Sequence, residues 1–258
     1  MSVLKNTIYH LLDLLTLNAG IPRRINGHLV RFPAKWSRYF EPDYEKANME
    51  FLTQHCKAGM TVADIGAHLG LMSVILSKCV GKEGAIYAFE PTESTFAVLQ
   101  KIIRMNGAEK IIRPFRKAVS NFEGELNFFV DEQEGSNANS LVNRPDKSRS
   151  FKKVEVISLD HFITSNTIPK LDILKIDAEG SELDVLLGAE KILLQFRPKI
   201  ILAMHPPLIK NNLQKPEEIY DLITRLKYTV TFRGKQMTRQ DFSAKTDFFD
   251  VHLIPDAR

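Results

Sequence analysis

The sequence predicts an α/β fold in which helices cover both faces of a mostly parallel β-sheet. Short apolar runs alternate with segments of helical apolar spacing from about residue 45 onward. A turn with two glycines joins the apolar run that ends at Ile65 to a helical segment that begins at Leu71. Near the C-terminus, about fifteen residues without a clear helix join the strands predicted at Tyr228–Phe232 and 248–254. This short connection favours an antiparallel hairpin at one edge of the sheet.

The composition is that of a globular protein with a substantial core. The chain has 258 residues, of which 44% are hydrophobic and 26% are charged. The net charge of +4 is small and the basic residues do not cluster, so nucleic acid is not an expected partner. Cys56 and Cys79 have no metal-binding or redox spacing, which fits reduced thiols. No apolar run is long enough to span a membrane and no signal-peptide cleavage site is evident, so we expect a cytoplasmic location.

Residues 1–44 are predicted to form a helical N-terminal extension that precedes the main domain at 45–258. Residues 3–15 have the apolar spacing of a helix. This helix could pack on the domain, mediate a homodimer or lie on a membrane surface. The aromatic residues that follow could either cover a ligand or pack the extension onto the core, and they are Trp36, Tyr39 and Phe40.

The other predicted elements follow from periodicity and from residues that start or stop helices and strands. Thr92 is a suitable N-cap for a helix that an Asn-Gly pair ends. Pro114 bends the predicted strand 111–120 or places it at an edge, and Asp160 is expected to cap a short helix. The remaining elements, in chain order, are helix 45–56, strand 61–65, a helix from 71, strands 85–90, 124–130, 154–160 and 171–177, helix 183–193, strand 200–205 and helix 216–226.

The turn after strand 61–65 has the pattern D-x-G-x-x-x-G, formed by Asp64, Gly66 and Gly70. Gly66 can adopt a positive φ and approach a ligand closely, because it has no Cβ atom. Gly70 allows the next helix to begin close to the strand, so that its unpaired N–H groups face a ligand. About twenty residues further on, Glu90 follows an apolar strand, where a carboxylate can accept hydrogen bonds from both ribose hydroxyl groups. These residues predict a site for a nucleoside cofactor.

Asp64 indicates which nucleoside cofactor is bound. A dinucleotide fingerprint has its first glycine at this position, and a carboxylate would repel a pyrophosphate, so a nicotinamide oxidoreductase is disfavoured. The same carboxylate suits the ammonium group of S-adenosyl-L-methionine (SAM), which we predict as the cofactor. Ala67, His68 and Pro91 are expected to border it. An ordinary β-turn-α unit is the alternative interpretation.

Candidate catalytic residues follow two later strands, because ligands of open α/β sheets bind beyond the carboxyl ends of the strands. Asp177 and Glu179 come directly after a buried strand, and Lys175 is expected to form an ion pair with Asp177. His205 ends the next strand, where an imidazole could accept the proton of an alcohol. We predict catalytic roles for Asp177, Glu179 and His205.

Structural interpretations of these side chains remain open. Asp177 and Glu179 could instead satisfy the N–H groups of the following helix, which is all that we expect of Glu182 and Asp184. His205 could be a structural histidine at a strand end. A divalent metal between Asp177 and Glu179 has no evident third ligand, so we expect no metal.

The chain resembles the FkbM-type SAM-dependent methyltransferases over about residues 44–205. The resemblance implies a Rossmann-like class I methyltransferase fold, with a seven-stranded sheet and a final antiparallel hairpin. It also implies O-methylation of sugars, polyketides or related metabolites. The matching blocks are residues 62–70, 87–91, 117–120, 157–160, 174–182 and 185–189.

The resemblance also assigns roles by position. Asp64, Gly66 and Gly70 would hold the methionine end of SAM, Glu90 the ribose and Ala118 the adenine. Asp177 and Glu179 would lie near the transferred methyl group. The family often has a glutamate at the end of the strand before the His-Pro pair, but Ala203 and Met204 precede His205 here. This departure leaves the general base unassigned.

We therefore expect a SAM-dependent O-methyltransferase that acts on a hydroxyl group of a sugar, glycan or secondary metabolite. A nucleic-acid methyltransferase is one alternative, although such enzymes usually carry a D/N-P-P-aromatic run where this chain has residues 177–180. A non-catalytic SAM-binding module is another. Acceptor specificity is expected to lie in the loop 131–149, in the extension and in the sheet edge after His205.

Overall fold

The computed structural model describes residues 3–130 and 150–257, so the predicted loop 131–149 lies outside the described residues. The helices are α1 (Val3–Leu15), α2 (Lys46–His55), α3 (Leu71–Val80), α4 (Glu93–Met105), α5 (Leu159–Ser165), α6 (Glu182–Leu187), α7 (Glu190–Phe196), α8 (Pro206–Asn211), α9 (Pro216–Arg225) and α10 (Arg239–Ser243). The strands are β1 (Ile21–Ile25), β2 (His28–Phe32), β3 (Thr61–Ile65), β4 (Ala85–Phe89), β5 (Ile112–Phe115), β6 (Ala118–Ser120), β7 (Gly124–Val130), β8 (Ser150–Ser158), β9 (Ile173–Ile176), β10 (Lys199–Met204), β11 (Tyr228–Phe232), β12 (Lys235–Gln236) and β13 (Phe249–Pro255).

The main sheet has eight strands in the order β12-β11-β13-β10-β9-β3-β4-β5. β3, β4, β5, β9 and β10 pair in parallel, which confirms the predicted mostly parallel sheet. β13 pairs antiparallel with both β10 and β11, and it forms the predicted antiparallel pair with β11. Seven strands were expected in this sheet. The eighth is β12, which has only two residues.

The segment between β11 and β13 contains α10, although the sequence indicated no clear helix there. α10 has only five residues, so apolar spacing cannot repeat within it. The Thr238 side chain caps this helix by accepting the N–H of Asp241 at 3.1 Å. A local hydrogen bond therefore starts α10, and periodicity gives no signal for it.

The strand order reverses beside β3. The chain adds β4 and β5 on one side of β3 and later adds β9 and β10 on the other side. Ligands of open α/β sheets bind at such a reversal, beyond the carboxyl ends of the strands. All residues of β3 and β9 are buried, so these strands form a firm base for the turn 66–70 and for the loop 177–181.

The predicted strand 111–120 is wrong as a single element. Its first half is β5, the terminal strand of the main sheet, and its second half is β6, in a separate sheet of order β6-β8-β7. Pro114 has no N–H group to donate to a neighbouring strand, and an edge strand tolerates this because it has a neighbour on one side only. The predicted hairpin that begins at β7 is confirmed, because β7 pairs antiparallel with β8.

The single helix predicted over 183–193 is also wrong, because α6 and α7 are separate helices. Gly188 lies between them. A Cβ atom at Gly188 would lie 2.0 Å from the carbonyl oxygen of Ser120. The chain therefore approaches β6 more closely here than any residue with a side chain would allow.

Asp160 does not cap α5 as predicted. Ser158 does so, because its hydroxyl accepts the N–H of His161 at 3.2 Å. The Asp160 carboxylate instead accepts the N–H groups of Lys191 and Ile192 at 3.1 and 2.9 Å, in the first turn of α7. Asp160 is thus a helix cap, but for a helix that lies thirty residues further along the chain.

The N-terminal extension contributes to the core beneath α2, α3 and α4. β1 and β2 form an antiparallel hairpin that the sequence did not indicate. Three aromatic side chains of the extension are buried in one cluster with side chains of these helices, namely Phe32, Trp36 and Phe40. Trp36 and Phe40 therefore pack the extension onto the core, which is one of the two roles expected for them. Tyr39 is more exposed, and the centroid of its ring lies 5.4 Å from that of His68.

α1 is attached to the core through Asp13. The Asp13 carboxylate accepts the N–H of Ala34 at 2.8 Å and pairs with Lys101 at 2.8 Å. A homodimer through α1 stays a prediction. Within the described ranges, no helix has both the length and the apolar character needed to cross a membrane. The outer face of α1 exposes Ile8, Leu11, Leu14 and Leu15.

The turn after β3 fits closely between the ends of β4 and β9. The N–H groups of Gly66 and Ala67 donate to the Phe89 carbonyl oxygen at 3.0 and 2.9 Å. Gly66 has a φ of 72°, and a Cβ atom on it would lie 2.0 Å from the carbonyl oxygen of Asp177. Both backbone conformation and space therefore require glycine here.

We expect Gly66→Ala to lower the free energy of unfolding by about 2–4 kcal/mol, because backbone strain and a steric clash add together. Gly107→Ala is the matched control, since Gly107 has a φ of 62° but open space around its Cβ position. The control should cost only about 1 kcal/mol. Urea unfolding measures both, and equal losses would show that the contact with Asp177 is unimportant.

Candidate active site

The ends of β3, β4, β9 and β10 place most of the predicted site residues at one edge of the main sheet. Contacts join them in three groups: His68 with Glu90, Lys175 with the aspartates, and His205 with the carboxylates around it. Ala118 lies in β6, where it packs with Val154 and Val156.

Glu90 is a buried carboxylate bound to the glycine turn. Its Oε2 accepts the N–H of His68 at 3.1 Å, and its Oε1 accepts the N–H of Thr92 at 2.9 Å. Thr92 occupies the predicted N-cap position of α4, but its side chain accepts no capping hydrogen bond. Burial outweighs the hydrogen bonds to Glu90 and raises the pKa of its carboxyl group to about 7.

Asp64 lies beneath the turn and is fully buried. Its Oδ2 accepts the hydroxyl proton of Ser73 at 2.6 Å, and its Oδ1 lies 3.6 Å from the ammonium nitrogen of Lys175. Lys175 donates to the Gly66 carbonyl oxygen at 3.2 Å and to Asp177 Oδ2 at 3.3 Å, which confirms the predicted ion pair. Burial disfavours the charged ammonium, but Asp177 and Asp64 outweigh it and raise the pKa of Lys175.

His205 lies between the carboxylates of Asp177 and Glu179. Its Nε2 is 3.7 Å from Asp177 Oδ1 and 3.8 Å from Glu179 Oε1. Lys175 binds the other oxygen of Asp177, so this carboxylate joins the central ion pair to the His205 group. The three residues predicted as catalytic are therefore neighbours, although they follow two different strands.

Glu182 is a further member of this group that sequence reasoning missed. It was expected only to satisfy the start of α6, but its Oε1 lies 2.7 Å from Nδ1 of His205 and also accepts the N–H of Gly180 at 3.0 Å. Its side chain is fully buried. In the sequence, only its position five residues after Asp177 indicated that Glu182 could belong to the site. A role at the start of α6 explained that position equally well. Asp184 instead bonds to Asn121 and Gln214.

The carboxylates around His205 favour a positive charge at its position. Burial lowers the pKa of the imidazole, but Glu182, Glu179 and Asp177 outweigh burial and raise it to about 9. Burial likewise acts to raise the pKa of Asp177, while Lys175 and His205 hold it below its usual value. The positive charge among these carboxylates is therefore carried by the His205 ring itself.

A cleft of about 600 Å³ adjoins this group. Phe248 connects the two, since it lines the cleft and its ring centroid lies 4.9 Å from that of His205. Its side chain is 62% exposed. Burial and nearby carboxylates raise the pKa of Asp250 to about 6. The cleft is also lined by Asn48, Phe232, Arg233 and Lys245.

The residues at the strand ends fit SAM. Glu90 lies at the end of β4 beside the turn, where its carboxyl oxygens could accept a ribose hydroxyl group in addition to the N–H groups of His68 and Thr92. Asp177 and Glu179 offer negative charge to a sulfonium and an ammonium group. Asp64 is buried beneath the turn, so in this structure it contacts Ser73 and Lys175.

Comparison with known proteins agrees with this geometry. The family model for the "Methyltransferase FkbM domain" matches residues 64–230. The hexuronic acid methyltransferase AglP of Haloferax volcanii is 24% identical over 198 residues, which cover 73% of this chain and 77% of that protein. The methyltransferase sdnD of Sordaria araneosa is 23% identical over 175 residues, covering 55% of this chain and 67% of its own.

Solved structures agree on the fold. A putative rRNA methylase from Clostridium thermocellum has a TM-score of 0.52 at 10% identity, covering 83% of this chain and 96% of its own. The O-methyltransferase from Bacillus cereus, solved with S-adenosylhomocysteine (SAH), has a TM-score of 0.50 at 14% identity, covering 83% and 82%. These likenesses confirm the Rossmann-like methyltransferase fold. The chain belongs to the FkbM methyltransferase family, and it is a SAM-dependent methyltransferase.

Proposed function

We propose that this methyltransferase transfers the methyl group of SAM to a hydroxyl group of a sugar, glycan or secondary metabolite. The observation that carries the proposal is the position of Asp177, Glu179 and His205 beside the glycine turn. A hydroxyl acceptor must be aligned with the methyl group and must lose its proton during transfer. The carboxylates of Asp177 and Glu179 are suited to both tasks, and His205 lies at ion-pair distance from each of them and holds them in position.

The cleft beside Phe248 supports a sugar-like acceptor. Phe248 and Phe232 offer aromatic surface, and the cations of Arg233 and Lys245 lie 5.1 and 4.4 Å from the centroid of the Phe232 ring. Cations at this position suit an acceptor that carries a carboxylate as well as hydroxyl groups. AglP, the relative in Haloferax volcanii, is a hexuronic acid methyltransferase, and we extend that acceptor class to this chain.

The proposed cofactor site begins with the turn formed by Gly66, Ala67, His68 and Gly70. Glu90 would bind the ribose, and Pro91 and Ala118 would border the adenine. Asp177 would face the methionine end, while Asp64 supports the turn from below through Lys175. SAM supplies an activated methyl group, so the protein has to orient the acceptor oxygen and assist the loss of its proton.

Binding of SAM and SAH to the purified protein, followed by calorimetry, tests the cofactor site. Glu90→Gln should weaken SAM binding about tenfold, because one acceptor of a ribose hydrogen bond is lost. Glu93→Gln is the matched control, since Glu93 lies on the exposed start of α4. Absence of SAM binding by the wild type, or equal effects of the two variants, would refute this assignment.

Glu90 also predicts a pH dependence of stability. The folded protein retains this proton up to a pKa of about 7, whereas the ordinary value is 4.5, so stability is lost as pH rises through this range. Relative to Glu90→Gln, the wild type should lose about 3 kcal/mol of unfolding free energy between pH 4.5 and about 8. Urea unfolding at several pH values measures this difference. A difference that does not change with pH would contradict the burial of this carboxyl group.

Phe248 tests the acceptor site. In assays with uronic-acid glycosides as acceptors, Phe248→Ala should raise KM for the acceptor about tenfold, because an aromatic contact is lost, and should leave SAM binding unchanged. Phe122→Ala is the matched control, because Phe122 is an exposed aromatic residue that does not line the cleft. Unchanged KM in the Phe248 variant would place the acceptor elsewhere.

A further inference from the structure

The side chains of Asp177, Glu179 and His205 converge on one point at the ends of β9 and β10. One ligand atom from each, two carboxylate oxygens and Nε2 of the imidazole, lie within 4.8 Å of one another. The sequence offered two of these atoms as metal ligands and no third, because His205 lies 26 residues beyond Glu179. The fold supplies the third.

The spacing of these atoms is too wide for hydrogen bonds and suits a shared cation. Nε2 lies 3.7 and 3.8 Å from the two oxygens. Ligand atoms bound at about 2.0–2.2 Å to one divalent ion lie about 3–4 Å apart. Across the described part of the chain, Nε2 has no hydrogen-bond partner, although the His205 side chain is only 8% exposed. Nε2 of a mostly buried side chain is thus directed at two carboxylates at ion-pair distance from each.

Glu182 provides a second, independent indication of a metal ligand. It fixes Nδ1 of His205 at 2.7 Å and, through the same oxygen, the backbone of Gly180 next to Glu179. A metal ion at this point would displace the proton of Nε2, and the Nδ1–H group would then donate to Glu182 while Nε2 binds the ion. Histidine ligands of metal ions are commonly held in this way by a carboxylate behind the ring.

We propose that Asp177, Glu179 and His205 bind a divalent first-row metal ion. Their mixed nitrogen and oxygen ligands favour such an ion over Ca²⁺ or Mg²⁺, which prefer oxygen ligands alone. Three protein ligands leave positions open, and the site adjoins the cleft through Phe248. A catalytic role for this ion rests on the proposed O-methylation.

In that role, an acceptor hydroxyl bound at an open position loses its proton to solvent more readily. The bond between the acceptor oxygen and the methyl carbon forms as the bond between that carbon and sulfur breaks. The electron pair of the broken bond stays on sulfur, which leaves SAH and a methyl ether. Asp177, Glu179 and His205 then act together by fixing the ion and hence the acceptor oxygen.

Titration of the chelator-treated full chain with Mn²⁺, followed by electron paramagnetic resonance of the free ion, tests the site without an activity assay. The wild type should bind one Mn²⁺ per chain. Glu179→Gln and His205→Gln should each raise the Kd for Mn²⁺ more than tenfold. Glu50→Gln and His161→Gln, on exposed helix positions, are the matched controls and should bind Mn²⁺ as the wild type does.

SAM binding by the same preparations separates this proposal from the proposed function. His205→Gln should retain SAM binding, which also shows that it folds, and a cooperative urea transition shows that Glu179→Gln folds. Wild-type protein that binds SAM but no Mn²⁺ overturns the metal site and leaves the methyltransferase function intact. Binding of Mn²⁺ that neither substitution weakens also overturns it. Binding of Mn²⁺ with these effects, but without transfer to any hydroxyl acceptor, keeps the site and refutes the proposed O-methylation.

Discussion

The buried ammonium group of Lys175 is the contact on which the rest of the site depends. It lies between Asp64 at the end of β3 and Asp177 just after β9, and it also bonds to the Gly66 carbonyl oxygen. The two strands on either side of the strand-order reversal are therefore joined by charge as well as by the sheet. Removing one partner of such a buried pair costs about 3–5 kcal/mol, because an uncompensated charge stays inside. The position of Asp177, and through it the geometry around His205, follows from this one contact.

The sequence predicted the parts of the fold that local chemistry determines. Gly66, Gly70 and Glu90 could be read from spacing alone, because a close turn and a carboxylate at a strand end have few other uses together. The pair formed by Lys175 and Asp177 followed from the two-residue repeat of a strand. These residues lie within single β-turn-α units, where the backbone conformation follows from nearby residues.

The features that the sequence did not reveal depend on contacts between distant segments. Glu182 faces His205 only because α6 packs beside the end of β10, and nothing local distinguishes it from a helix-start glutamate. The helix breaks at Gly188 because the chain there passes close to the backbone of Ser120, which lies more than sixty residues earlier. The division of 111–120 between two sheets likewise depends on β8, which pairs with β6. Periodicity cannot report such contacts.

The contact between Tyr39 and His68 links the N-terminal segment to the cofactor turn. The same turn holds Glu90 through the N–H of His68. Linkage is reciprocal: if the docked segment makes a ligand in this turn bind more tightly, that ligand must hold the segment in place by an equal free energy. Ligand binding in the turn and attachment of the first forty residues are then coupled equilibria, and the ring of Tyr39 makes the contact that couples them.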